Sequence, residues 1–298
     1  MKRPWFIPAA FIWGLFGLVA VEIVVTYARV PPAQLYHVTG TGAAGGFGRA
    51  LVFLNYPVAV AALPLIALAA DRLRDRPAAV AVAIVAACVC AVVFWPGVVK
   101  ESDLDPRPVN ALPAVGVGLA LLLMWVSGLF RVRSRLHPGA VVFAILLLLL
   151  ALPWIAAELG FYLDGVPLLG RIFLTGRRHD GTAAVHHGHH HGMDGILLAL
   201  SALATVPLLR QARLRPVRSV VGLYVALELV YGLANVANDA WREQVVKRGW
   251  VDTAIPSVLR PSVSFAWLGI VLAAAAVATV ILGNVRLSRT PALTRHLP

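Results

Sequence analysis

Five histidines crowd into the stretch AVHHGHHHGMDG, Ala184–Gly195: His186, His187, His189, His190 and His191. Neutral imidazole is a ligand for Cu²⁺, Zn²⁺ and Ni²⁺. At helical spacing His186 pairs with His190, His187 with His191 and His190 with Asp194, and such pairs can hold one ion from a single face. The competing reading is a low-complexity polar tract with loose affinity, which Gly188 and Gly192 favour. A second set of chemical groups lies within or beside apolar runs: Glu22, Glu158, Glu228, Asn235 and Asp239. Glu228, Asn235 and Asp239 fall on one helical stripe. An ionisable group inside a membrane span is costly and is a functional candidate by default; its plainer role is to fix helix packing through a hydrogen bond.

The elements that must position these groups are legible from composition. Hydrophobic residues make up 59% of the 298 and charged residues 13%, about half the charged share of a soluble domain. The mean hydropathy is +0.80. Eight apolar runs recur, at about 5–27, 51–70, 78–97, 111–130, 139–157, 194–209, 219–238 and 263–283. Each has roughly the length that crosses a bilayer core of about 30 Å as a helix, and period-2 alternation of the barrel type is absent. The expected fold is an all-α integral membrane protein, a polytopic bundle of about eight transmembrane helices forming a single domain over 1–298. The first run is longer than a cleavable leader, contains Glu22 and shows no small-residue cleavage site, so it is expected to be a retained helix.

The formal net charge of +12 follows topology. The N-terminus, the loops DRLRDRP, RVRSRLHP and RQARLRPVR and the C-terminal tail hold fifteen basic residues against Asp71 and Asp75. The positive-inside rule therefore places both termini and the arginine loops in the cytoplasm of a plasma-membrane protein, with lipid head groups as partners and no nucleic acid. The other loops are longer, and function tends to reside in such connections. Of these, 158–193 is expected to begin as a short interfacial helix, to continue as a polar, mobile stretch and to end in the histidines. Cys88 and Cys90, two apart on a helix, face different ways and are read as buried structural residues.

Three short motifs invite a chemical reading. His186–His191 contains HxxHH twice and resembles one histidine box of the membrane fatty-acid desaturases and hydroxylases. Those families use three boxes, on the cytoplasmic side, to hold two irons; here one box is present, on the other side. KESDLDPRP, Lys100–Pro108, resembles the K-x6-RP first motif of phosphatidic-acid-type lipid phosphatases, but the later PSGH and Arg/His/Asp motifs are missing. GTGAAG, Gly40–Gly45, fits G-x-G-x-x-G without the strand and βαβ unit that a dinucleotide site needs, so no nucleotide cofactor is expected. Its glycines let the chain turn before the second span, and His37 upstream reads as a surface residue.

The leading functional expectation is binding or handling of copper, zinc or nickel at an extracytoplasmic site made of His186, His187, His189, His190, His191 and Asp194, with Glu22, Glu158, Glu228, Asn235 and Asp239 as an outer polar pocket. A membrane-embedded enzyme for an outer-leaflet lipid or lipid-linked substrate is the alternative, with carboxylates as acid and base. A haem-binding electron carrier lacks paired histidines on facing helices. A structural subunit of a membrane complex completes the set.

Overall fold

A computed structural model of the chain describes residues 5–29, 39–99, 105–135, 137–158, 165–167, 174–179, 182–185, 191–246, 249–253, 255–259 and 261–287. Its helices are α1 (Pro8–Arg29), α2 (Gly42–Arg72), α3 (Pro77–Ala91), α4 (Ala111–Val126), α5 (Pro138–Glu158), α6 (His191–Thr205), α7 (Arg215–Asp239) and α8 (Phe265–Leu287). Seven helical segments among the described residues are long and apolar enough to cross a membrane, and α5 adds a shorter apolar stretch, Pro138–Leu152. The protein is thus an all-α polytopic membrane protein. Where a polar stretch was expected after α5, two short strands, β1 (Leu174–His179) and β2 (Thr182–Val185), pair antiparallel. The residues expected to form an interfacial helix lie mostly outside the described ones.

The bundle is organised around α2 and α6, the two most buried helices. Close crossings rest on glycines, because lipid-embedded helices gain little from burying apolar surface against one another and depend on tight packing. A Cβ on Gly46 would lie 2.3 Å from the Val24 carbonyl oxygen of α1, and one on Gly116 of α4 would lie 2.6 Å from Cys90 Sγ of α3. Cys90 is buried there, whereas Cys88 is exposed, so only one of the two cysteines fits the structural reading.

Two prolines, Pro57 and Pro64, lie inside α2. Proline cannot donate to the carbonyl four residues back, so Pro64 leaves the Val60 carbonyl without its helical donor. Tyr224 of α7 supplies the missing bond: its hydroxyl donates to Val60 O at 3.0 Å. This is how a bundle accepts proline at membrane depth.

The connections sort to two ends. At the arginine-rich end, Phe6 bridges Ser134, Arg72 donates to Gln211 Oε1 at 2.9 Å, and the buried Asp71 carboxylate accepts the backbone N–H groups of Arg213 and Leu214. At the opposite end, residues 39–49 meet 105–107, and Thr253, Pro256 and Leu259 accept hydrogen bonds from α7 and the turn that follows it. Exposed tryptophans mark both levels, Trp5 and Trp125 at the arginine-rich end and Trp95 and Trp250 at the other, as amphipathic rings do at membrane interfaces.

The α2 N-terminus departs from the hydropathy reading. The run begins near 51, yet the helix begins at Gly42, whose φ of +58° is the left-handed turn into it. Asn55 lies well inside this helix and is buried, with neither side-chain polar atom hydrogen-bonded among the described residues. Arg49 is also buried, with side-chain exposure of 1%, and pairs with Asp105 at 3.0 Å.

Asp105 also accepts the Thr39 hydroxyl at 2.9 Å and the Thr39 N–H at 3.2 Å. Partial burial pushes its pKa up, but the Thr39 and Arg49 hydrogen bonds outweigh that and hold the carboxyl below the usual aspartate range. A group whose folded value is depressed contributes stability above its unfolded value of about 3.9 and loses it as pH falls through the folded one. The Thr39 amide should therefore stay protected from hydrogen exchange from neutrality to below about pH 4, while Asp105→Asn should expose it at neutral pH. Equal protection in both proteins would refute the tether.

Candidate functional site

The best-defined meeting of polar groups lies where the first turn of α6 meets the last turn of α7. These two helices make the most extensive contact in the bundle, and glycine is the reason. A Cβ on Gly195 would lie 2.4 Å from Gly232 O, and one on Gly232 would lie 2.6 Å from Gly195 O. The backbones touch, so the residues flanking the crossing are drawn together. Asp194, in the first turn of α6, comes within electrostatic reach of Asp239, the last residue of α7. Asp239 is buried and Asp194 half-buried.

The helical setting differs at the two carboxylates. Asp194 sits in the first turn of α6, where the backbone dipole favours an anion, whereas at Asp239 the helical path runs on beyond α7. Like charges at close range repel, and a cation or a proton shared between them relieves the repulsion. A π-helical turn, Ala240–Val246, follows Asp239 directly, a distortion frequent at functional sites.

Aromatic residues line the membrane side of this pair. Tyr56 of α2 is within electrostatic reach of Asp194. Its hydroxyl donates to Tyr231 Oη at 3.1 Å, and Tyr231 in turn donates to Leu259 O at 2.7 Å. Tyr231 also stacks on Trp267 of α8, with ring centroids 5.4 Å apart. The connection before α8 is strapped over α7: Asn238 Nδ2 donates to Pro256 O at 2.9 Å and Trp241 Nε1 to Thr253 O at 3.0 Å.

The other expected site residues fall as follows. His186, His187, His189 and His190 lie outside the described residues, as does His37. His191 opens α6 and Glu158 closes α5 as backbone positions. Asn235 is buried and turned back on its own helix, donating to Tyr231 O at 2.9 Å, so it serves packing. Glu228 is buried mid-helix, close to Tyr224, and neither carboxyl oxygen has a hydrogen-bond partner. Glu22 is buried in α1, with Oε2 likewise unpartnered. Of these residues, Asp194 and Asp239 are the two brought into mutual electrostatic reach. No group of three or more His, Cys, Asp or Glu in a metal-binding arrangement occurs among the described residues.

Of the phosphatase-like motif, residues 100–104 lie outside the described residues. Arg107 donates to the carbonyls of Gly97 and Val98 and its backbone N–H to Asn110 Oδ1, so its guanidinium closes the end of the α3 segment. Sequence reasoning missed Tyr56 and Arg49, whose partners come from distant segments. Compared with known proteins, the chain matches no family model, no curated relative and no solved structure.

Proposed function

We propose that the protein binds a divalent transition-metal ion, copper, zinc or nickel, at the end of the bundle where α6 and α7 meet. Asp194 and Asp239 supply carboxylate oxygens, and the segment His186–His191 supplies imidazole nitrogens. One observation carries the reading: Asp194 and Asp239 lie within electrostatic reach of each other beside a glycine crossing, and a run of five histidines leads directly into the helix that bears Asp194. Mixed nitrogen and oxygen donors suit these metals better than magnesium or calcium, which take oxygen ligands alone.

The positive-inside rule assigns this end to the extracytoplasmic side. Binding, sensing or delivery fits better than passage through the bundle. On the other side of the membrane the acids among the described residues are Asp71 and Asp75, both engaged in local pairs.

The test is elemental analysis of protein purified without a polyhistidine tag and without metal-affinity resin. The comparison is a variant with His186, His187, His189, His190 and His191 changed to alanine. Near-stoichiometric metal in the parent, falling at least tenfold in the variant, is the expected result. Metal-free protein that also fails to take up zinc, copper or nickel on titration would remove the proposal.

A further inference from the structure

The arginine-rich end has a feature that charge counting does not reveal. Leu129–Arg131 forms a 3-10 turn after α4, and the chain is extended from Val132 to Arg135: Val132 has φ −73° and ψ 118°, and Ser134 pairs with Phe6 through two backbone hydrogen bonds of 2.9 and 3.0 Å. Successive side chains of an extended segment point to opposite faces. Here Ser134 is buried and Val132 packs against the core, while Arg131, Arg133 and Arg135 are exposed. The result is a rail of three exposed arginines: Arg131 ends the 3-10 turn, and Arg133 and Arg135 follow on one face of the extended stretch, their Cα atoms roughly 7 Å apart.

Acids at this end leave the rail alone. Asp71 is turned inward onto backbone N–H groups, and Asp75 pairs with Arg74 and Arg213. Among the described residues no ion pair reaches Arg131, Arg133 or Arg135. Arg135 lies over the ring of Trp5, 4.3 Å from the centroid. A stacked guanidinium keeps its N–H donors in the plane, free to point sideways.

Trp5 is exposed, as is Trp125 a few residues before the rail, so the rail lies at the interfacial depth where lipid phosphates sit. The positive-inside rule accepts lysine as readily as arginine, yet all ten basic residues of the three inner loops are arginine. Only arginine offers the planar fork that grips a phosphate with two hydrogen bonds.

The geometry points to the Arg131–Arg133–Arg135 rail as a docking site for the phosphate of an anionic phospholipid at the arginine-rich face. The bridge to Phe6 holds the rail extended, and Trp5 orients its last rung. The site is independent of the metal proposal, which concerns the opposite end of the bundle.

The full chain, in detergent micelles doped with phosphatidylglycerol or with phosphatidylcholine, provides the test; native mass spectrometry reads bound lipid and a melting curve reads stabilisation. Phosphatidylglycerol should remain bound and raise the melting midpoint, and phosphatidylcholine and inorganic phosphate should do neither. Arg133→Gln with Arg135→Gln should weaken retention by about fivefold for each guanidinium removed. The charge-preserving pair Arg133→Lys and Arg135→Lys should fall between the two. Both substitution sites are exposed; should the glutamine pair fail to fold, Arg133→Gln alone is read against the parent. Equal retention of the two lipids by the parent, unchanged phosphatidylglycerol binding in the glutamine variants, or full stabilisation by inorganic phosphate would each overturn the assignment.

Discussion

Asp194→Asn is expected to move two properties of the protein in opposite directions: metal affinity falls by about a hundredfold or more, and the metal-free protein melts higher. The first effect follows from losing an anionic ligand in a set where carboxylate charge helps hold the ion. The second follows from Asp194 lying within electrostatic reach of Asp239 beside a glycine-mediated helix crossing. In an apolar setting like charges at close range are costly, and an isosteric amide removes one of them. A site that trades stability for ligand binding in this way is common. Asparagine also remains acceptable at the first turn of α6, so helix capping does not obscure the reading. Melting curves of parent and variant, with and without zinc, check both halves together. A variant that melts lower without metal, or that keeps the parent's zinc-dependent shift, would show that the two carboxylates do not form the site. The histidine substitutions described above then remain an independent test of the neighbouring segment.

The location of this pair was only half legible in the sequence. Apolar runs of membrane length gave the helices, and the arginine loops gave the two ends, because lipid constrains backbone hydrogen bonding and charge placement more strictly than water does. Asp194 and Asp239 could each be placed at the same end on that basis. Their meeting could not, since helix order in space is not written in hydropathy. One signal pointed to it: Gly195 and Ala199, four apart, present a small face that admits another helix at Gly232.

The glycine-rich start of α2 misled for a related reason. Gly42–Ala50 has weak intrinsic helix propensity and reads as a turn, yet close approach to α1 at Gly46 requires those glycines within a helix. Arg49, apparently a loop residue beside them, becomes one of the most buried side chains in the protein. Its partner Asp105 lies 56 residues away. Pairings of that kind, like Tyr56 with Tyr231, depend on tertiary contacts that no local pattern encodes. The histidine run is the reverse case, conspicuous in the sequence and largely outside the described residues.

Gly232→Val should be the most damaging single substitution at the α6–α7 crossing. The first added carbon would lie 2.6 Å from Gly195 O and 3.0 Å from the Ala199 nitrogen. Both obstacles are backbone atoms, so no side chain can rotate away and the helices themselves must part. Overpacking in a close-packed interior costs about 1–3 kcal/mol where side chains can adjust, and a backbone obstacle places this site at or above the upper end. The cost extends to function, because separating α6 from α7 also separates Asp194 from Asp239. Loss of stability and loss of metal should therefore appear together, unlike the opposed effects expected for Asp194→Asn. Gly269→Ala in α8 is the matched control: nothing lies within 4 Å of its added carbon, and replacing a helical glycine where space permits stabilises by about 0.4–1 kcal/mol. Melting midpoints and the monodisperse fraction after detergent extraction distinguish the two. A Gly232→Val protein as stable as the Gly269→Ala control would mean that the α6–α7 backbones do not touch, and the proximity of the two carboxylates would lose its structural basis.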